Sequence, residues 1–188
     1  MIEVRWHGRA GQGAKTASQL LAEAALEAGR YVQAFPEYGP ERSGAPMRAF
    51  NRIDSEPIRR RYGVTHPDAV VVLDPSLMYE PFVSEGVGEN TIVLVNSDRS
   101  RAELRRELPG DAFGVAAGAI AAERGSKYTN VVMLGAVAAA IGEPPLETLE
   151  RVAGEYFGAK LGPDGAAAIA AAIRTGYEVV EELELVRD

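Results

Sequence analysis

The chain has 188 residues, 46% hydrophobic and 25% charged, ordinary proportions for a single soluble domain with a real core. A net charge of −7 excludes nucleic acid as a general partner, because phosphate backbones require a positive field. The absence of cysteine excludes disulfides, a cysteine nucleophile and thiolate-held zinc or iron–sulfur clusters in this chain. The sequence enters a strand-like stretch at once and has no run of about 18 apolar residues. Neither a signal peptide nor a membrane span is therefore expected, and the cytoplasm is the expected location. One domain, 1–188, is expected.

The first strand runs into Gly8-Arg9-Ala10-Gly11-Gln12-Gly13, and a helix follows. Glycines at this density permit positive φ and close backbone approach. The helix would aim free N–H groups and a partial positive charge outward, towards a phosphate, a carboxylate or a partner's backbone. Two nucleotide templates nearly fit. A Walker A loop has the lysine immediately after its last glycine, whereas here Ala14 intervenes before Lys15-Thr16. A dinucleotide fingerprint ends in a third glycine, and Thr16 stands there. Ala17, Leu20, Leu21, Ala24, Ala25 and Ala28 form one apolar stripe, and Gly29 stops the helix.

Residues 31–35 read as a short second strand. Pro36, Gly39, Pro40 and Gly44 then make an ordered loop that carries Glu37, Tyr38, Glu41, Arg42 and Ser43. Residues 47–53 and 58–62 flank Asp54-Ser55-Glu56-Pro57 and predict an appended β-hairpin. Its second strand would carry Arg59-Arg60-Arg61, either as a charged edge that resists self-pairing or as a dock for the phosphates of an acyl-carrier nucleotide. The run from Asp68 to Asp74 predicts a central strand buried on both faces. Asp74 at its end is read as a cap for a helix opened by Pro75 and carrying Leu77, Met78 and Phe82.

Residues 91–95 repeat the buried-strand pattern. A charged helix over 99–108, a strand over 112–115 and a small-residue helix over 116–124 follow. Thr129 is read as the cap of the next helix, which runs to Ile141 with Asn130 near its start. Pro144-Pro145 opens another helix, Gly162-Pro163 breaks it, and a last helix with an acidic outer side ends the chain. Strands alternating with helices predict an α/β fold: a doubly wound, mainly parallel sheet with an appended β-hairpin and a helical C-terminal third.

Three stretches together resemble the gamma subunit of 2-oxoacid:ferredoxin oxidoreductases, the pyruvate synthase type. They are the glycine turn from His7 to Ala17, Phe35-Pro36-Glu37-Tyr38-Gly39-Pro40-Glu41-Arg42-Ser43-Gly44-Ala45-Pro46, and Asn130-Val131-Val132-Met133-Leu134-Gly135-Ala136. Their order and spacing match as well. The resemblance implies alpha and beta subunits that build a thiamine diphosphate site, and a delta subunit that carries iron–sulfur clusters. It implies a complex taking a 2-oxoacid, pyruvate in this branch, with coenzyme A and oxidised ferredoxin to an acyl-CoA, carbon dioxide and reduced ferredoxin.

This chain lacks the parts for that redox chemistry. The nearest approach to the thiamine-site Gly-Asp-Gly is Gly110-Asp111-Ala112, and His7 and His66 have no Ser or Cys partner at a suggestive spacing. The isolated chain is expected to be inactive, with no catalytic residue and no metal. By resemblance it would help assemble the complex and receive coenzyme A. Gly8, Arg9, Gly11, Gln12, Gly13, Lys15, Arg42 and Asn130 would face the nucleotide part, and Glu37, Tyr38, Glu41, Arg42 and Ser43 the partner subunits. Two other readings stay open: a purely structural interaction subunit, and a stand-alone nucleotide-binding α/β protein.

Overall fold

The computed structural model describes residues 1–38 and 44–183. Six strands form one sheet: β1 (Ile2–Arg9), β2 (Tyr31–Tyr38), β3 (Pro46–Asp54), β4 (Ala69–Val72), β5 (Ile92–Asn96) and β6 (Asp111–Val115). Their spatial order is β2-β3-β1-β4-β5-β6. β1, β4, β5 and β6 are mutually parallel, and β3 runs antiparallel to both β1 and β2. The helices are α1 (Ala14–Glu27), α2 (Pro81–Ser84), α3 (Arg101–Leu104), α4 (Ala117–Glu123), α5 (Thr129–Ile141) and α6 (Leu146–Glu182). The doubly wound, mainly parallel expectation holds.

The hairpin expectation is half right. Residues 47–53 are a strand, but the antiparallel partner is β2, pairing Tyr31 with Asp54 and Tyr38 with Met47. Residues 58–62 form no strand. They carry three consecutive arginines after Pro57 and lack the alternating apolar side chains that would bury one strand face. β2 also runs three residues beyond Phe35, through Pro36. A proline lacks the ladder N–H and is accepted because β2 is an edge strand. The helix expected over 99–108 shrinks to Arg101–Leu104, started by a Ser100–Glu103 capping box. Asp74 caps as expected, accepting the Ser76 N–H, but it opens only a single 3-10 turn over Pro75–Leu77.

Pleating divides the sheet into two chemically different faces. On the first face Val4, Trp6, Val71, Leu94 and Phe113 pack under α1, α4 and α5. Trp6 Nε1 donates to Asn51 Oδ1 at 2.8 Å, and Asn51 Nδ2 donates to the Ser18 carbonyl at 2.8 Å, which ties α1 to the sheet. α5 is buried from Asn130 to Ala140, so it is apolar on every side, and α6 lies across α5, α1 and α4. Gly135 and Gly176 set the closeness of that crossing. A Cβ at Gly135 would fall 1.9 Å from the Ile173 carbonyl oxygen, and one at Gly176 would fall 2.1 Å from that of Val132. The break expected at Gly162-Pro163 is a kink inside α6, where Gly162 takes φ 73°.

On the second face, rows of side chains cross β2, β3 and β1: Gln33–Arg52–Glu3, Phe35–Phe50–Arg5 and Glu37–Arg48–His7. Arg5, His7 and Arg52 are almost fully buried there. The short helix α2 covers the first two, with the Phe82 ring stacked on His7 at 5.6 Å, and an irregular segment covers Arg52. Arg52 donates to Glu3 Oε1 at 2.6 Å and to the Tyr62 carbonyl at 2.6 Å. Arg5 donates to the carbonyls of Val83 at 2.8 Å and Glu85 at 2.7 Å. The buried guanidiniums thus satisfy carbonyls of the covering segments that would otherwise be stranded.

Candidate functional site

The glycine turn leaves the C-terminal end of β1, where ligands gather in open α/β sheets. Its shape is fixed from inside. Gln12 Oε1 accepts the Arg9 N–H at 2.7 Å, and Gln12 Nε2 donates to Asp74 Oδ2 at 2.9 Å. Arg9 Nε donates to the same oxygen at 3.0 Å, and its Nη2 donates to Ser76 Oγ at 3.0 Å. Burial pushes the Asp74 carboxyl up, but hydrogen bonds from Ser76 and Gln12 and the charge of Arg9 outweigh this and hold it below the usual carboxylate range. Arg9 and Gln12, expected to face a ligand, are therefore engaged with Asp74. Both stand on the turn as expected, yet their polar atoms are spent on its geometry.

The turn also holds the described end of the loop. The Ala10 N–H donates to the Ala45 carbonyl at 3.1 Å, and Arg9 Nη1 donates to that of Gly44 at 3.2 Å. The expected adjacency of loop and turn is met at this end. Glu41, Arg42 and Ser43 lie outside the described residues. Glu37 is half-exposed on β2 and accepts from Arg48 Nη2 at 2.7 Å. Tyr38 ends β2.

Gly13 starts α1 with φ 84°, in the left-handed region that favours glycine. It has no side chain to cap the helix, so the first N–H groups of α1 keep their donor capacity. Gly11 is also left-handed, at φ 94°. Asn130, 4% exposed, donates from Nδ2 to the Gly13 carbonyl at 3.2 Å. The contact is close enough that a Cβ on Gly13 would sit 2.6 Å from Asn130 Nδ2. Asn130 thus reaches the turn across 117 residues of sequence. Thr129 is the first residue of α5 and not its cap, which is Tyr128.

Beside the turn opens a cleft of about 420 Å³, bounded by Gly11, Gly13, Lys127, Tyr128, Tyr156 and Lys160. Lys160 Nζ lies 4.5 Å from the centre of the Tyr156 ring and donates to its hydroxyl at 3.2 Å. Lys127 Nζ lies 5.6 Å from the centre of the Tyr128 ring. The chain has three lysines, and two line this cleft while Lys15 is exposed in the first turn of α1. No ion pair among the described residues uses any of them. Lys127, Tyr156 and Lys160 were missed in the sequence. The only local signal was Tyr156 and Lys160 at helical i,i+4 spacing. Among the described residues no group of three His, Asp or Glu side chains is placed to hold a metal ion, and no helix is long and apolar enough to cross a membrane.

Arg59, Arg60 and Arg61 are not part of this site. Gln33 and Arg52 anchor their segment on the second face, in the row that contains Glu3. That is five residues down β1 from Gly8, about 17 Å along the strand. The reading of this run as a dock for the phosphates of a nucleotide held at the glycine turn is set aside.

Residues 3–179 match the family described as pyruvate ferredoxin/flavodoxin oxidoreductase. Pyruvate synthase subunit PorC of Thermotoga maritima is 50% identical over 183 residues, covering 96% of this chain and 95% of that one. The common subunit gamma of the pyruvate/ketoisovalerate oxidoreductases of Pyrococcus furiosus is 47% identical, covering 98% of this chain and 100% of its own length. The crystal structure of the Thermotoga maritima pyruvate oxidoreductase subunit PORC superposes with a TM-score of 0.82 at 46% identity, over 94% of this chain and 95% of that one. The chain belongs to the pyruvate ferredoxin/flavodoxin oxidoreductase family, as one of its gamma-type subunits.

Proposed function

We propose that the chain acts as the gamma subunit of a 2-oxoacid:ferredoxin oxidoreductase, helping to assemble the complex and to position coenzyme A while partner subunits carry out oxidative decarboxylation. The observation that carries this reading is the cleft beside the glycine turn. It joins the uncapped N-terminus of α1 to a tyrosine face and two lysines that form no ion pair among the described residues. Phosphates suit the helix N-terminus and the ammonium groups, and an adenine ring suits the tyrosine. Lys127, Lys160 and Lys15 make the ionic contacts. Gly11 and Gly13 allow close approach, while Arg9, Gln12 and Asn130 hold the turn in shape.

The electron-transfer steps belong elsewhere. Without cysteine this chain has no thiolate for an iron–sulfur cluster. By family resemblance the clusters and thiamine diphosphate belong to the alpha, beta and delta partners, through which ferredoxin is reached. One relative is named as common to pyruvate and ketoisovalerate enzymes, which supports 2-oxoacid selection by the other subunits. Pyruvate remains the substrate proposed here. The internal engagement of Arg9 and Gln12 favours, as a second reading, a purely structural subunit.

The test is anaerobic purification of the tagged chain from its host. Thiamine-bearing and iron–sulfur subunits should come with it, and the preparation should reduce ferredoxin only with a 2-oxoacid and coenzyme A. A monomer or homo-oligomer without such partners would end the subunit reading.

A further inference from the structure

Residues 55–64 cross the second face of the sheet without forming a helix or strand. Their backbone is nevertheless fixed from below. Gln33 Nε2 donates to the Arg60 carbonyl at 2.9 Å, Arg52 Nη2 to those of Tyr62 at 2.6 Å and Gly63 at 3.2 Å, and Arg5 Nη1 to that of Val64 at 3.5 Å. With the carbonyls held inward, the side chains of Arg59, Arg60 and Arg61 are exposed, and Tyr62 is 58% exposed. The Arg52 guanidinium lies 5.3 Å from the centre of the Tyr62 ring and holds it in place.

Most described arginines are ion-paired, but Arg59 and Arg61 have no such partner among the described residues, and Arg60 reaches Glu3 only at 3.5 Å. An acidic chain of net charge −7 thus presents one run of three cations that line, with Met1, Asp54, Pro57, Ile58 and Tyr62, an open depression of about 700 Å³. Arginine and tyrosine are the side chains that anchor protein interfaces. Their anchored backbone spares much of the ordering cost of association. Pro57, Ile58 and the Tyr62 ring offer a protein side chain apolar surface there, the Asp54 carboxylate is engaged by the N-terminal amine, and the overall negative charge disfavours an extended polyanion.

We propose that this segment is a docking surface for an acidic segment of a partner subunit, with carboxylates on Arg59 and Arg61 and an apolar side chain in the depression. The proposal rests on the reading of the chain as a subunit. It concerns the face opposite the cleft and the other end of β1.

The complex is to be reconstituted with wild-type chain, with Arg59→Glu/Arg61→Glu and with Arg59→Lys/Arg61→Lys. Association is measured at about 0.05 M and about 0.5 M salt. The reversed chain should melt as wild type does when alone, yet bind its partners more weakly by about tenfold or more at low salt. The lysine variant should lose much less, and added salt should weaken the wild type most. Unchanged assembly of the reversed chain, with unchanged salt dependence, overturns the proposal and leaves the subunit reading standing. So does loss of retention on a heparin column with assembly intact. Wild-type chain that assembles with nothing overturns both.

Discussion

The Gly13–Asn130 contact fixes the start of α1, and a double-mutant cycle tests it. Gly13→Ala places a side chain at φ 84°, where an L-residue costs about 1–2 kcal/mol. The new Cβ would also sit 2.6 Å from Asn130 Nδ2. At 4% exposure Asn130 has little room to yield, and losing its bond to the Gly13 carbonyl costs about a further 1–2 kcal/mol. Gly13→Ala should therefore destabilise the chain by about 2–4 kcal/mol. Asn130→Ala removes the obstacle, so on that background only the backbone strain of about 1–2 kcal/mol remains. The coupling should come out at about 1–2 kcal/mol. Urea unfolding of the four chains reads it as midpoint shifts at constant slope. An equal cost of Gly13→Ala on both backgrounds would refute the steric account of the turn.

Other predictions concern the buried polar face and the helix crossing. Burial, Arg5 and Arg48 lower the His7 pKa to about 3, so the folded chain keeps it neutral while the unfolded chain protonates it below about 6.5. The unfolded state then binds the extra proton, and stability falls with pH by about 1.4 kcal/mol per unit below about 6.5. His7→Gln keeps an acceptor for Arg5 and should remove that slope between about pH 6.5 and 4.5, measured by unfolding at each pH. Arg52→Met leaves the Glu3 carboxylate only the distant Arg60 at 3.5 Å and frees the carbonyls of Tyr62 and Gly63. A loss of about 3–5 kcal/mol is expected, with faster tryptic cleavage at Arg59–Arg61. Gly135→Ala pushes a methyl into the Ile173 carbonyl and should cost more than about 3 kcal/mol in chemical unfolding, as should Gly176→Ala against Val132.

The periodic elements were readable because their burial is one-sided or complete. The α1 stripe, the run 69–72 and the break at Gly162 stand in the sequence much as they stand in the fold. The second face was not readable. Glu3, Arg5 and His7 alternate with Val4 and Trp6, a pattern of one wet face. Yet that polar row is buried, because Arg5 there serves backbone carbonyls contributed by residues 59–80 positions away. Pairing of β3 with β2 was hidden as well, because the turn signal at 54–57 is local while the true connection runs through 39–45. At the site, the turn and Asn130 could be named from motifs. Lys127 and Lys160 could not, because only the packing of α5 and α6 brings them beside Gly13.

The central claim is that the cleft at Gly13 positions coenzyme A. It is tested most directly by the coenzyme A dependence of the assembled complex carrying Lys127→Ala/Lys160→Ala. The account predicts a KM for coenzyme A raised by about tenfold or more, with the KM for the 2-oxoacid and the yield of complex unchanged. An unchanged coenzyme A KM in a fully assembled complex would contradict it, and the chain would then be a structural subunit whose glycine turn meets only protein.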